Sequence, residues 1–127
     1  MGNVVDLLYK DEVYKIVGAA IEVHKVLGRG FLEAVYHEAL EIELGLRQIP
    51  FESRKQLHLS YKENPLEHTY QVDFLVFNKI VVEIKALDRF IAQHKAQVIN
   101  YLQATKLRLG LLINFGERSL NWERIIL

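Results

Sequence analysis

Three charged side chains interrupt two apolar segments near the middle of the chain. Asp73, Glu83 and Lys85 lie among β-branched, aliphatic and aromatic residues between positions 73 and 85. Charges inside strands with an otherwise buried character are costly unless they are paired or bound to a metal. Two carboxylates and a lysine are the groups needed to hold a divalent cation and to orient a nucleophile. The stretch therefore predicts a metal-assisted reaction site.

The two apolar segments predict a β-hairpin with its turn at the Asn-Lys pair of residues 78–79. Glu83 and the lysine two residues later project from the same face of one strand. A plain two-residue turn would pair Asp73 with Ile84 and place Glu83 on the opposite face. A shared metal site requires an odd-length turn, a β-bulge, or strands that diverge near Asp73. We predict one of these irregularities.

Patterns elsewhere predict the elements that must position these residues. They indicate helices over about 6–27, 31–46 and 88–106, the last capped by Asp88, and strands over about 57–61, 68–77, 80–86 and 109–115, with an optional edge strand over 122–127. This order predicts an α/β sandwich with a mixed sheet flanked by helices.

Composition narrows the functional classes. The 127 residues, half of them hydrophobic, predict a single domain over 1–127. The absence of cysteine excludes disulfides and thiolate metal sites. Sixteen basic and sixteen acidic residues count against a protein that grips duplex nucleic acid through charge alone. The sequence has no signal-peptide pattern and no apolar run long enough for a membrane span, so we expect a cytoplasmic protein without a membrane partner.

Four short motifs occur in order along the chain: Gly30-Phe-Leu-Glu33-Ala-Val-Tyr36, Asp73, Glu83-Ile-Lys85 and Gln97-Val-Ile-Asn-Tyr101. Together they resemble the PD-(D/E)xK nuclease superfamily, and within it the GxxExxY family. The last motif is similar to that of RecB-like nucleases. The resemblance extends from about residue 10 to the end and departs at Val72, where the superfamily has proline. It implies a restriction-endonuclease-like α-β-β-β-α-β core.

The resemblance also implies a metal-dependent nuclease that hydrolyses phosphodiester bonds with Mg²⁺ or Mn²⁺. Asp73, Glu83 and the carbonyl of Ile84 would be metal ligands, since hard oxygen donors suit these ions. Glu33 would reach the metal directly, through water, or by holding a second ion.

The remaining motif residues are expected to assist catalysis. Lys85 would orient the attacking hydroxide or stabilise charge on the phosphate. Gln97 and Tyr101, one helical turn apart, would position Lys85 or contact the nucleic-acid backbone.

The partner implied is nucleic acid, with DNA favoured over RNA. A homodimer or a protein partner that supplies specificity is compatible with so small a chain. Two alternatives stay open. One is a Holliday-junction-resolvase-like dimer, and the other is a nuclease-fold binding or assembly module without turnover.

Overall fold

A computed structural model describes residues 7–127 of the protein. In chain order the elements are α1 (Lys10–Leu27), α2 (Glu33–Leu46), β1 (Phe51–Tyr61), β2 (Asn64–Val76), β3 (Ile80–Lys85), α3 (Ala92–Thr105), β4 (Leu109–Asn114) and β5 (Asn121–Ile126). The predicted order of helices and strands, including the optional last strand, is confirmed. The predicted first turn of α1, at Asp6, lies outside the described residues.

The five strands form one mixed sheet in the order β1-β2-β3-β4-β5. β3 and β4 are parallel, and the other neighbouring pairs are antiparallel. The parallel pair needs a crossover connection, which α3 supplies. The predicted α/β architecture with a mixed sheet is therefore confirmed.

Helices cover both faces of the sheet and create two apolar cores. α1 and α2 pack against the face that carries Ile80, Val82 and Ile84, whereas α3 packs against the face that carries Val81. This alternation follows the period-two pattern of β3, as expected for side chains of a strand. In the part of the chain that the structure describes, no helix is both long and apolar enough to cross a bilayer.

Two predicted helix starts are wrong. The second helix begins at Glu33 rather than Phe31, because Leu32 is still extended (φ −66°, ψ 151°). Asp88 does not cap the third helix, which begins only after Ile91. Its first turn is closed by His94, whose Nδ1 accepts the Ile91 N–H at 3.0 Å.

β1 and β2 are longer than their patterns predict. β1 begins at Phe51 rather than near residue 57, and β2 begins at Asn64 rather than near residue 68. Most of the added positions are exposed. From Lys55 onward β1 pairs with a part of β2 that has no partner in β3, so the two strands form a ribbon there, and the added residues show weak hydrophobic alternation.

Candidate active site

The hairpin between β2 and β3 has a three-residue turn. Residues 77–79 separate the paired Val76 and Ile80, and both Phe77 and Asn78 adopt left-handed backbone conformations (φ 55° and 57°). The predicted two-residue turn at 78–79 is therefore wrong. The predicted irregularity of the hairpin is confirmed in one of its three forms, an odd-length turn, which places Asp73 and Glu83 on the same face of the hairpin.

The backbone ladder of this hairpin ends where the carboxylates begin. The last paired residues are Phe74 and Val82. Beyond them, Glu83 Oε1 accepts the Asp73 N–H at 2.7 Å, and Asp73 Oδ2 accepts the Ile84 N–H at 2.8 Å. The two strands diverge at this point, and side-chain carboxylates replace the missing carbonyl partners. Each carboxylate retains a second oxygen for another ligand.

A second irregularity lies at Asp73, in the pairing of β1 with β2. The β1–β2 ladder skips the Arg54–Asp73 position, and Arg54 has a left-handed backbone (φ 51°). Val72 and Leu75 belong to the core beneath α3, whereas Phe74 belongs to the opposite core. Regular alternation would place Val72 and Phe74 on one face. The ribbon therefore twists sharply at Asp73.

Burial and like charge make Glu83 the most perturbed acid of the site. It is only 4% exposed. Desolvation, and then the charge of the Asp73 carboxylate, raise the pKa of Glu83 to about 8, against opposing effects of the Asp73 N–H and Lys85. The pair thus resists holding two negative charges, and a bound cation would relieve that repulsion.

Glu33 reaches this site from the first position of α2. Partial burial of its carboxylate raises its pKa, the Asp73 charge raises it further, and Lys85 lowers it. Glu33 is exposed overall, so its carboxylate remains accessible to solvent. Both charged neighbours belong to the hairpin, so α2 and the hairpin meet at one place.

The other residues of the Gly30–Tyr36 motif hold the loop before α2. The Tyr36 hydroxyl donates to the Gly28 carbonyl at 2.6 Å and accepts the Phe31 N–H at 3.3 Å. Gly30 has φ 109°, a conformation that favours glycine. The motif therefore fixes where α2 begins, which in turn fixes Glu33.

α3 contributes to the opposite side of the site. Lys85 Nζ donates to Gln97 Oε1 at a long 3.4 Å. Tyr101 is buried, and desolvation, followed by the charges of Glu83 and Asp73, raises its pKa to about 12. The structure thus brings all the predicted side chains, from α2, the hairpin and α3, to one end of the sheet.

The donor set fits a hard divalent cation. Among residues 7–127, no three His, Cys, Asp or Glu side chains form a complete ligand cluster. Mg²⁺, however, commonly binds through one or two carboxylates and keeps several waters. The Lys85 carbonyl accepts the Phe115 N–H beside β4, and successive residues of a strand direct their carbonyls to opposite sides. The Ile84 carbonyl therefore points toward Asp73.

Two polar residues near the site were missed from the sequence. His37 is buried one turn after Glu33, with Nε2 2.7 Å from Ser53 Oγ. Burial, and then the Arg54 charge, lower its pKa. The sequence did indicate this position, because His37 follows Glu33 by four residues and therefore lies on the same face of a helix.

Asn114 is the second residue that was missed. It is fully buried, its Oδ1 accepts the Leu87 N–H at 2.9 Å, and its Nδ2 donates to the Leu87 carbonyl at 2.9 Å. These bonds hold the segment that leaves β3 just after Lys85. A polar residue at the end of an apolar strand was its only sign in the sequence.

A cavity of about 810 Å³ lies away from the candidate site and is lined by α1, the end of α2 and β5. None of the predicted site residues lines it. Its walls include Tyr14, Ile49 and Trp122, and it lacks paired carboxylates. The candidate site is therefore separate from this cavity.

Comparisons with known proteins identify the fold and the superfamily. A search of curated proteins finds no match. The crystal structure of SSO0001 superposes with a TM-score of 0.59 at 19% sequence identity, over 93% of this chain and 59% of that one. The present chain therefore spans about three fifths of that protein, and the likeness establishes a shared fold. A family model of the PD-(D/E)XK nuclease superfamily matches residues 10–125, nearly the whole chain. The protein belongs to the PD-(D/E)XK nuclease superfamily.

Proposed function

We propose that this protein is a metal-dependent nuclease that hydrolyses phosphodiester bonds of nucleic acid. The observation that carries the proposal is the placement of Asp73 and Glu83 on one face of a diverging hairpin, beside Lys85. Superfamily membership supports a nuclease-type function. The spacing of Gly30, Glu33 and Tyr36 favours placement within the GxxExxY group.

Asp73, Glu83 and the Ile84 carbonyl would hold Mg²⁺ or Mn²⁺. When bound, such an ion lowers the pKa of its water and polarises the phosphate. Each carboxylate is already fixed by one backbone hydrogen bond, so little side-chain entropy remains to be lost when the ion binds. Glu33 would contribute directly, through water, or by holding a second ion.

Lys85 would place its ammonium group beside the scissile phosphate. Gln97 Oε1 accepts from Lys85 Nζ, which restricts the rotamers of this flexible side chain. Tyr101 is protonated at neutral pH, as tyrosine ordinarily is, and its raised pKa keeps it so at more alkaline pH. Its hydroxyl would therefore serve as a hydrogen-bond donor. These two residues would position the lysine and contact the substrate backbone.

The test is cleavage of single-stranded, duplex and four-way-branched DNA, together with RNA, in Mg²⁺ or Mn²⁺ and in EDTA. Wild-type protein should cleave at least one substrate only when metal is present. Lys85→Ala and Asp73→Asn should each reduce the rate by about 100-fold or more, the scale of losing one group that stabilises charge in a transition state. The branched substrate tests the junction-resolvase alternative in the same experiment.

A matched control is Lys25→Ala, which removes an exposed lysine of α1 outside the site. It should leave the rate unchanged. Absence of cleavage in every metal, or cleavage that persists in both site variants, would contradict the proposal. In that case a binding or assembly role for the nuclease fold would be favoured.

A further inference from the structure

A small cavity of about 340 Å³ lies between β2 and α3, beside the catalytic candidates. Its lining comprises Tyr70, Gln93, Ala96, Gln97, Asn100 and Tyr101. Gln97 connects it to the site, because its Oε1 bonds Lys85 Nζ. Tyr101 makes a second connection, because the charges of Glu83 and Asp73 act on its hydroxyl. A ligand in this cavity would therefore adjoin the proposed cleavage position.

The polar lining is neutral. Gln93, Gln97 and Asn100 recur at helical spacing along one face of α3, and Ala96 leaves space between them. Each amide offers both donors and acceptors. No charged residue belongs to the lining, whereas a phosphate site would require cationic side chains. Amides of this kind pair with the polar edges of nucleobases.

An aromatic ring completes the cavity. Tyr70 is 39% exposed, and its ring meets that of Tyr101 in an edge-to-face contact at 5.4 Å and 64°. This contact orients Tyr70 while much of the residue stays accessible. Nucleobases stack on such rings with little dependence on sequence.

We propose that this cavity binds one unpaired nucleobase next to the scissile phosphate. Tyr70 stacks on the base, and Gln93 and Asn100 bond its edge. A base within a duplex has its Watson–Crick edge occupied and its faces stacked, so the substrate is single-stranded or locally unpaired. This inference rests on the proposed function for its position relative to cleavage.

The test is binding in EDTA, where cleavage does not interfere. Two fluorescent ten-nucleotide DNA strands are compared by anisotropy, one with ordinary bases and one abasic throughout. The backbone charge is the same, so a difference reports base contacts. Wild-type protein should bind the base-bearing strand about tenfold more tightly, and Tyr70→Ala should abolish that preference. Tyr70→Phe, which keeps the ring, should retain it.

The control is Tyr61→Ala, which removes a 62% exposed tyrosine at the far end of the ribbon and should retain the preference. If Tyr70→Ala does not fold, the double variant Gln93→Ala/Asn100→Ala replaces it and should reduce the preference several-fold. Equal affinity of wild-type protein for both strands overturns the inference, even if metal-dependent cleavage is observed. Base-selective binding without cleavage would uphold the base-binding cavity but refute the proposed function, and with it the position of the base beside a scissile phosphate.

Discussion

Replacing Glu83 with glutamine should remove a specific pH dependence of stability. The Glu83 carboxyl is buried against the Asp73 carboxylate, which raises its pKa from an ordinary 4.5 to about 8. Between these two values the folded protein holds a proton that the unfolded chain releases. The free energy of unfolding must therefore fall as pH rises from about 4.5 to 8. Below pH 4.5 both states are protonated, and the stabilising contribution is fully present.

The magnitude is large for one side chain. A pKa displaced from 4.5 to about 8 corresponds to at most about 5 kcal/mol of unfolding free energy. Glutamine resembles the protonated acid, because its carbonyl can accept the Asp73 N–H and its amide can donate to the Asp73 carboxylate. Glu83→Gln should thus lie within about 1 kcal/mol of wild type at pH 5 and exceed it by several kcal/mol at pH 9.

The assay is urea unfolding at pH 5, 7 and 9 in EDTA, followed by circular dichroism. The difference between variant and wild type matters, because other titrating groups are common to both proteins. Glu38→Gln, which replaces an exposed glutamate of α2, should follow the wild-type curve. Parallel curves for Glu83→Gln and wild type between pH 5 and 9 would refute the account of a buried, proton-sharing pair. Mg²⁺ at pH 9 should stabilise wild type and not Glu83→Gln, since an ion that binds only the folded protein shifts its unfolding equilibrium.

Three substitutions test the packing that positions the site, each by urea unfolding. Tyr36→Phe removes the hydroxyl that bonds the loop before α2 and should lower the free energy of unfolding by about 1–2 kcal/mol. An unchanged stability would show that this hydrogen bond is not needed. Gly110→Ala places a methyl group against Val98 Cγ1, closer than two carbon atoms can approach. It should cost about 2 kcal/mol, with partial recovery in the double variant with Val98→Ala. Additive effects would contradict direct contact. Asn114→Ala leaves both backbone groups of Leu87 without partners and should lower the free energy of unfolding by about 3 kcal/mol. A decrease of less than about 1 kcal/mol would show that water replaces the amide.

Local sequence patterns predict the fold correctly for segments whose side chains pack into one or both of the hydrophobic cores. Ile80, Val82 and Ile84 alternate with Val81, and the structure buries them on the two faces that this alternation predicts. Such periodicity depends only on residues close in sequence, so it can be recognised without knowledge of tertiary contacts. The same reasoning located the sheet, the order of its elements and the approximate C-terminal end of α3.

Tertiary contacts decide the features that the sequence did not predict. Asp88 is a good helix-capping residue by type, but bonds from Asn114 hold the adjacent Leu87 and delay the helix until Ala92. The turn at 77–79 requires a left-handed conformation at Phe77, which bulky residues rarely adopt. No local rule predicts that choice. The need for some irregularity came instead from the chemistry. With a regular two-residue turn at 78–79, Asp73 and Glu83 would lie on opposite faces, so an odd-length turn, a bulge or diverging strands was required.

Asp73 has a structural role and a proposed catalytic role, and two substitutions separate them. Its Oδ2 accepts the Ile84 N–H where the ladder ends, and its charge is proposed to bind the metal. Asparagine keeps an oxygen for the Ile84 N–H. The free energy of unfolding of Asp73→Asn should therefore lie within about 1 kcal/mol of wild type, although the variant loses cleavage. Alanine leaves the N–H unpaired, and Asp73→Ala should lose about 2 kcal/mol as well. Equal stabilities for the two variants would mean that water satisfies Ile84. The divergence of the strands would then owe nothing to the carboxylate, and the site would be shaped by the turn at 77–79 and the twist at Arg54 alone.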